Sequence, residues 1–252
     1  MDLGLKGKRV LVVGASKGIG SGIAMGFAKE QSHLVAVART QPLLQELGTA
    51  ALEAGAMSYA MEVCDIMEGS PRAFAQRMLD TYGVFDVVVH CVGGSLVSRE
   101  PLAPLEDWDY ALRFNALAAI DMNHVLIPPM VEQGYGRVVH ISSISAQTLR
   151  GNPLYASSKA FLNAYVTTVG RALAPTGVVM SSVMPGAVAF EGSYWDKFVK
   201  EGHPRVEDFL RHHQAANRFG TPEEIADAVL FMASEKASFM QAAVIPVDGA
   251  NM

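Results

Sequence analysis

The stretch RVLVVGASKGIGSGIAMGFAKE, residues 9–30, decides the fold. After Arg9, four consecutive valine and leucine side chains suit a strand buried on both faces. Gly14 ends that run, and Ile19, Ile23 and Phe27 then recur at helical spacing, so the segment reads as strand, glycine-rich turn and helix. The same alternation repeats down the chain. Strand-like HLVAVA (33–38) precedes a helical pattern through Leu43 to Ala54. SYAMEV (58–63) precedes one around Arg72 to Tyr82, and FDVVVHCV (85–92) one through Leu117 to Val131. GRVVHISS (136–143) leads to a helix from Tyr155 to Leu173, VVMSSVMP (178–185) to the helical PEEIADAVLFMAS, and AVIPV closes the series. Seven near-continuously apolar runs separated by helices predict one α/β domain spanning residues 1–252: a doubly wound, seven-stranded parallel sheet with helices on both faces. Residues 187–217 break the pattern. They are rich in aromatic, histidine and charged residues without a clean period, as expected of a substrate lid, with a plain surface excursion as the competing reading.

Composition narrows the class of partner. With 252 residues, half of them hydrophobic, the chain can bury a sizeable core as a single domain. A net charge of -5 gives no basic footprint, which argues against nucleic acid and membrane surfaces and for a small molecule. Cys64 and Cys91 are too few for a disulfide framework, and as residues in or beside apolar strands they are expected to pack. No uncharged apolar run approaches the roughly 18 residues of a spanning helix, and MDLGLKGKRV lacks the apolar core of a signal peptide. A cytoplasmic location is the expectation.

The turn VGASKGIG places Gly14, Gly18 and Gly20 between the first strand and the first helix, with Ser16, Lys17 and Ile19 among them. Absent Cβ atoms let backbone approach a pyrophosphate, whose charge is stabilised by the free N–H groups and dipole of the helix N-terminus. The second strand ends AVARTQ, with Ala38 where an acid would bind the ribose hydroxyls of NAD, followed by Arg39 and Thr40. Lys17 and Arg39 each read singly as solvated cations. Together, and without the carboxylate, they suit the 2'-phosphate of NADP (NADPH) better than NAD.

A second constellation lies in HISSISAQTLRGNPLYASSKA, residues 140–160. Tyr155 and Lys159 are one helical turn apart, so the ammonium is expected to favour the ionised phenol and move its pKa from about 10 toward working pH. A serine hydroxyl from Ser142 or Ser143 could stabilise charge on a reacting oxygen. Such a Tyr–Lys pair alone is usually a surface pair; its order after the glycine turn gives it weight.

With the glycine turn, the serine pair and Tyr-x-x-x-Lys in this order, the sequence resembles the short-chain dehydrogenase/reductase family across essentially its whole length. Further marks are HCVGG (90–94) in the place of Asn-Asn-Ala-Gly, Asn115 in LRFNALAA, MPGAV around Pro185 and Gly186, and the closing RFGTPEEIADAVLFMASEKASF with VDG. The resemblance implies a Rossmann-type oxidoreductase domain that transfers hydride between a nicotinamide and a carbonyl or secondary alcohol. Tyr155 would donate or accept the proton, Lys159 would contact the nicotinamide ribose, and Asn115 would bend its helix and hold a relay water. An interval of thirteen residues before Tyr155 points to Ser142, whereas the second serine of the pair is Ser143. The strand register favours Ser143, with a residue lost from the following loop. Gly93, Pro185, Gly186 and Val188 would add cofactor contacts, and Asp65 would meet the adenine or cap a helix. Ser95, Ser145, Phe190 and Trp195 are the substrate-side candidates, with Gln147 and Asn152 in nearby loops; Tyr194 and Trp195 could line a pocket or pack the lid.

Departures from the family pattern are His90 and Cys91 for the asparagines, Phe190 for a usual threonine, and alanines at 242 or 243 and 250 for common glycines. His203, His212 and His213 show no ligand partner spacing, so no metal is expected. The family also implies a homo-oligomer, tetramer or dimer, joined through the helices around Asn115–Val131 and Tyr155–Leu173, with 3-oxoacyl reductases as the commonest analogy. The rival reading is a catalytically silent dinucleotide-binding sensor or scaffold of the same fold.

Overall fold

The computed structural model describes residues 1–95, 98 and 100–251. The elements in chain order are β1 (Arg9–Val13), α1 (Gly18–Lys29), β2 (His33–Ala38), α2 (Gln41–Glu53), β3 (Ser58–Val63), α3 (Pro71–Tyr82) and β4 (Val87–His90). They continue with α4 (Leu105–Leu112), α5 (Ala118–Glu132), β5 (Gly136–Ile141), α6 (Ser145–Thr148), α7 (Pro153–Leu173) and β6 (Val178–Pro185). The chain closes with α8 (Asp196–Lys200), α9 (Pro204–His213), α10 (Pro222–Ala233) and β7 (Val244–Val247). The strands form one seven-stranded sheet in the order β3-β2-β1-β4-β5-β6-β7. Every pairing is parallel, as the repeated strand–helix alternation predicts.

Alternation along each strand splits the core in two. Val10 and Val12 face one side, with Ile23 and Phe27 of α1 and Ile225 and Val229 of α10. Leu11 and Val13 face the other, with Phe74 and Met78 of α3, Met122 and Leu126 of α5, and Val166 of α7. After β3 at one edge, the chain returns to the middle of the sheet and places β4 beside β1. The loops leaving β1 and β4 therefore diverge to opposite faces, and the crevice between them is the ligand-binding place of such sheets.

Three departures from the sequence reading matter. β4 stops at His90 and β5 at Ile141, so Cys91, Val92 and both serines lie beyond the strand ends. A further helix, α4, and a π-helical turn at Arg113–Leu117 precede α5. Residues 187–217 contain α8 and α9, joined to the body by bridges from Val188 to Gly220 and from Gln214 to Asn251. Of the alanines standing for glycines, Ala242 (φ 60°) and Ala250 (φ 58°) hold left-handed backbone, which is strained for a residue with a Cβ. Ala242→Gly should raise stability by roughly 1 kcal/mol, since the strain relieved exceeds the entropy lost to glycine in the unfolded chain. Thermal unfolding should shift up by about 2–4 °C, and a fall in Tm would refute the account.

Candidate active site

The site begins at the turn between β1 and α1. Gly14 (φ 96°) and Gly18 (φ 57°) take left-handed conformations, and a Cβ on Gly20 would run into the Gly14 carbonyl. These glycines bring the backbone close to whatever lies above it. No side chain caps α1 and its first turn holds no acid. By contrast Asn152 caps α7, and Thr221 with Glu224 forms a capping box on α10. The N-terminus of α1 thus keeps free N–H groups and positive dipole toward the crevice, with Lys17 beside them, which fits a dinucleotide pyrophosphate.

A cleft of about 600 Å³ runs over this turn. Its lining includes Ser16, Lys17, Ile19 and Gly20, Arg39 and Asp65, Gly93, and Pro185, Gly186 and Val188, together with Ser143, Tyr155 and Lys159. Phe190, Tyr194 and Trp195 also line it. The predicted cofactor and proton-transfer residues are thereby brought to one cavity. Arg39 is exposed and pairs with Asp65 at 3.2 Å. Asp65 also accepts from the Met67 N–H at 2.9 Å, closing its own turn, whereas the cap of α3 is Ser70. Asp65 is therefore no helix cap.

Gly18, Thr40, Ser95, Asn115, Ser145, Gln147 and Asn152 fall outside this lining. Gly18 is covered by the Phe190 ring. Thr40 is an exposed residue before α2 that makes no capping bond, and Ser95 is exposed. Ser145 opens α6, with its N–H donating to Ser143 Oγ at 3.1 Å. Asn152 spends its side chain capping α7 and donating to Ser98 O at 3.0 Å, and Gln147 is exposed. Trp195 does both things left open for it: it lines the cleft and packs on Phe209 and Phe219, with ring centroids at 4.4 and 5.2 Å. Among the described residues no three His, Cys, Asp or Glu side chains could hold a metal. His203 instead accepts from Arg205 N–H at 3.1 Å, and His212 lies 3.1 Å from Asp208.

At the other end, Lys159 is buried, and its Nζ donates to Ile141 O at 2.8 Å. A Cβ on Gly93 would lie 2.7 Å from Asn115 Oδ1 and 2.8 Å from Lys159 Nζ, so that position must be glycine. Asn115 sits in the π-helical turn. Its Oδ1 accepts from Gly94 N–H at 2.8 Å, while Nδ2 donates to Gly94 O at 3.1 Å and to Ala111 O at 3.0 Å. The side chain thus takes up a helix carbonyl and grips the loop after β4. The Ser143 hydroxyl is close enough to the Tyr155 phenol to favour its ionised form. Ser142 Oγ instead turns back to Lys159 O at 3.4 Å, so the structure joins Ser143 to the tyrosine.

The electrostatics differ from the sequence expectation. Burial raises the Tyr155 phenol above its ordinary value, and the Ser143 hydrogen bond only partly offsets this. Lys159 does not pull it down: its Nζ is 5.9 Å from the ring centroid and bonded elsewhere, and burial lowers its own pKa to about 8. The phenol is a held proton, suited to donation. Cys64 and Cys91 pack against the core as expected and also line the cleft, and burial raises both thiols, Cys91 to about 12. Their signal in the sequence was position, since each directly follows a strand of the central sheet.

His90 bonds sheet to helix, with Nε2 2.8 Å from Asn123 Oδ1 of α5. Asn123 Nδ2 lies 3.2 Å from His140 Nε2, and the two imidazoles stack at 4.9 Å. Burial holds both neutral, His90 at about 4 and His140 well below the usual imidazole range.

A family model described as enoyl-(acyl carrier protein) reductase matches residues 14–250. The chain belongs to the short-chain dehydrogenase/reductase family. Among this family, a 3-oxoacyl-[acyl-carrier-protein] reductase of Thermotoga maritima is 28% identical over 97% of this chain and 98% of its own. A ketoacyl reductase of Nostoc is 32% identical over 90% of this chain and 75% of its own. The crystal structure of L-sorbose reductase from Gluconobacter frateurii, complexed with NADPH and L-sorbose, superposes with a TM-score of 0.90 at 28% identity, covering 99% of this chain and 98% of that one. A 3-oxoacyl (acyl-carrier-protein) reductase from Agrobacterium tumefaciens with NADP bound gives 0.90 at 26% identity, over 97% and 94%. Among the described residues no helix is long and apolar enough to cross a membrane.

The buried amine yields a pH test. Because the folded pKa of Lys159 lies at about 8, below its ordinary 10.5, the fold disfavours the ammonium. That cost is full below pH 8 and vanishes as pH rises toward 10.5. The stability of Lys159→Met relative to the unsubstituted protein should therefore fall by up to about 1.4 kcal/mol per pH unit across this window. Denaturant titrations at several pH values measure it, and a constant difference would contradict the assignment.

Proposed function

We propose that this short-chain dehydrogenase/reductase is an NADP(H)-dependent enzyme that reduces a ketone or aldehyde, or oxidises the corresponding alcohol. The observation that carries this reading is the shared cleft: Ser143, Tyr155 and, one helical turn on, buried Lys159 line the same cavity as an uncapped glycine turn. NADPH, when bound, supplies the hydride. Lys17 and Arg39 would hold its 2'-phosphate, with Ala38 offering no carboxylate to oppose it, and the N–H groups of α1 would take the pyrophosphate. The solved NADPH and NADP complexes of similar chains support that choice.

On the protein side, Ser143 donates to the carbonyl oxygen and polarises it. Tyr155 delivers its phenolic proton as negative charge grows on that oxygen, a transfer for which a raised pKa keeps the acid loaded. Lys159, held by Ile141 O, would contact the nicotinamide ribose, and Asn115 fixes the loop that crosses the amine. Residues 187–217 act as a lid that excludes water from the reacting carbon. A homo-oligomer joined through α5 and α7 would cover Leu117 and Phe161, both exposed in the single chain.

Tyr155→Phe should abolish NADPH-dependent carbonyl reduction while leaving NADPH binding intact, as followed by nicotinamide absorbance and by titration. Ser143→Ala should lower kcat by about 10²-fold or more, the usual effect of losing one such donor, and Ser142→Ala much less. Residual activity of Tyr155→Phe above a few per cent would remove the assigned acid. For the cofactor, kcat/KM should favour NADPH over NADH, and Ala38→Asp should erase or reverse the preference by repelling the phosphate. Equal values for the two cofactors with the unsubstituted protein would overturn the phosphate reading.

A further inference from the structure

Beyond the carbonyl itself, the groups around Tyr155 say what kind of molecule carries it. The charged lining residues other than Lys159 are Lys17, Arg39 and Asp65, all at the glycine turn or the ends of β2 and β3. The rest of the lining, shared with Ser143 and Tyr155, is largely apolar or aromatic and includes Val92, Phe114, Ile141 and Val188, with Tyr194 and Trp195 from the lid. Two serine hydroxyls of the lining each already make one bond to backbone. Ser142 Oγ donates to Lys159 O, and Ser193 Oγ accepts from Phe190 N–H at 3.2 Å. Among the described residues Ser95, Ser145 and Gln147 contribute nothing to the lining.

Trp195 is a fixed wall. Phe209 and Phe219 pack on it at 4.4 and 5.2 Å, and Tyr194 meets it edge-on at 5.3 Å. The anchors come from different places: Phe209 from α9, and Phe219 from beside Gly220, which bridges Val188 at the start of the lid. The Arg205 guanidinium lies 5.7 Å from the Tyr194 ring and 6.0 Å from that of Trp195, adding a cation to the cluster. An indole held in this way presents a flat surface without having to be ordered by the ligand.

From this lining we propose that the substrate is a ketone or aldehyde whose carbonyl bears a flat apolar ring, aromatic or alicyclic, lying against Trp195 and Tyr194. The proposal rests on the reductase reading above. A ring gains offset or edge contacts with the two side chains. A polyhydroxylated ketone would bury several hydroxyls against a lining with few polar partners, at about tenfold or more in affinity for each left unpaired. An extended aliphatic ketone fits the apolar wall but gains no stacking and loses more rotational freedom.

The test uses three probes with NADPH: propiophenone, its nine-carbon linear counterpart 2-nonanone, and fructose. With the unsubstituted protein, kcat/KM for propiophenone should exceed that for 2-nonanone at least tenfold, and fructose should be slower still. Trp195→Leu should reduce the propiophenone to 2-nonanone ratio about tenfold. Because Trp195 also holds the lid together, Tyr194→Leu, at a half-exposed position, provides a second variant that should move the ratio in the same direction. Binding without turnover separates the two readings, using saturation-transfer NMR on Tyr155→Phe with NADPH present. If no probe is reduced but propiophenone still binds best, reduction is refuted and the ring preference stands. If fructose or 2-nonanone is reduced as well as propiophenone, or if neither lid variant changes the ratio, the ring preference is overturned while reduction stands.

Discussion

Three parts of the chain that are distant in sequence meet at one buried amine. Lys159 Nζ donates to the last carbonyl of β5, and the loop after β4 crosses so close that Gly93 can carry no side chain there. Asn115 holds that loop from the opposite side by bonding both the N–H and the carbonyl of Gly94. A charge-assisted hydrogen bond of this kind contributes about 1.5–3 kcal/mol, and its geometric effect is larger than its energy. It fixes α7 against β5, and hence Tyr155 against Ser143. Placing an amine there lowers its pKa to about 8, so the site is held together by a group that the fold charges only at a cost.

The cleft is built from two different kinds of surface. Near the ends of β2 and β3 it uses charge, with Arg39 exposed and tethered to Asp65. Surface pairs of this type are weak, so the guanidinium is free to exchange Asp65 for a stronger anion. Toward Tyr155 it uses rings and aliphatic groups, and burial raises the pKa of the phenol. Phe190 lies between these regions, packed on Gly18 where a side chain could not be accommodated. The same ring therefore protects the glycine turn and begins the aromatic wall.

Features that depend on local spacing were legible in the sequence. The seven strands, the glycine turn and Tyr155 with Lys159 on one helical face all follow from periods of two or 3.6 and from glycine chemistry. The choice of Ser143 over Ser142 rested on strand register, but β5 ends earlier than expected and both serines lie beyond it. Features set by tertiary packing were not legible. α8 is only five residues long, too short to display a period, and α9 is anchored by Phe209 on Trp195 across the lid. The phenol pKa was misread because four-residue spacing places Lys159 near Tyr155 but does not reveal that Ile141 O captures its ammonium. Cys64 and Cys91 pack against the core as expected, and what the apolar runs did not show is that both positions also border the cleft where the sheet opens.

The π-helical turn at Arg113–Leu117 carries one residue more than an α-helical turn, so the helix before it and the helix after it are out of phase by about 100°. In this chain the two phases serve different partners. Ala111, before the turn, offers its carbonyl to Asn115, whereas Asn123, after it, faces the two stacked imidazoles of β4 and β5. The segment behaves as a phase shifter between the cleft and the core beneath it. A single deletion there would convert it to plain α-helix, releasing Asn115 from Gly94 and rotating Asn123 away from both histidines at once. Length, more than residue identity, is what this segment cannot vary, and the loss from one missing residue would reach two sites that no single substitution joins.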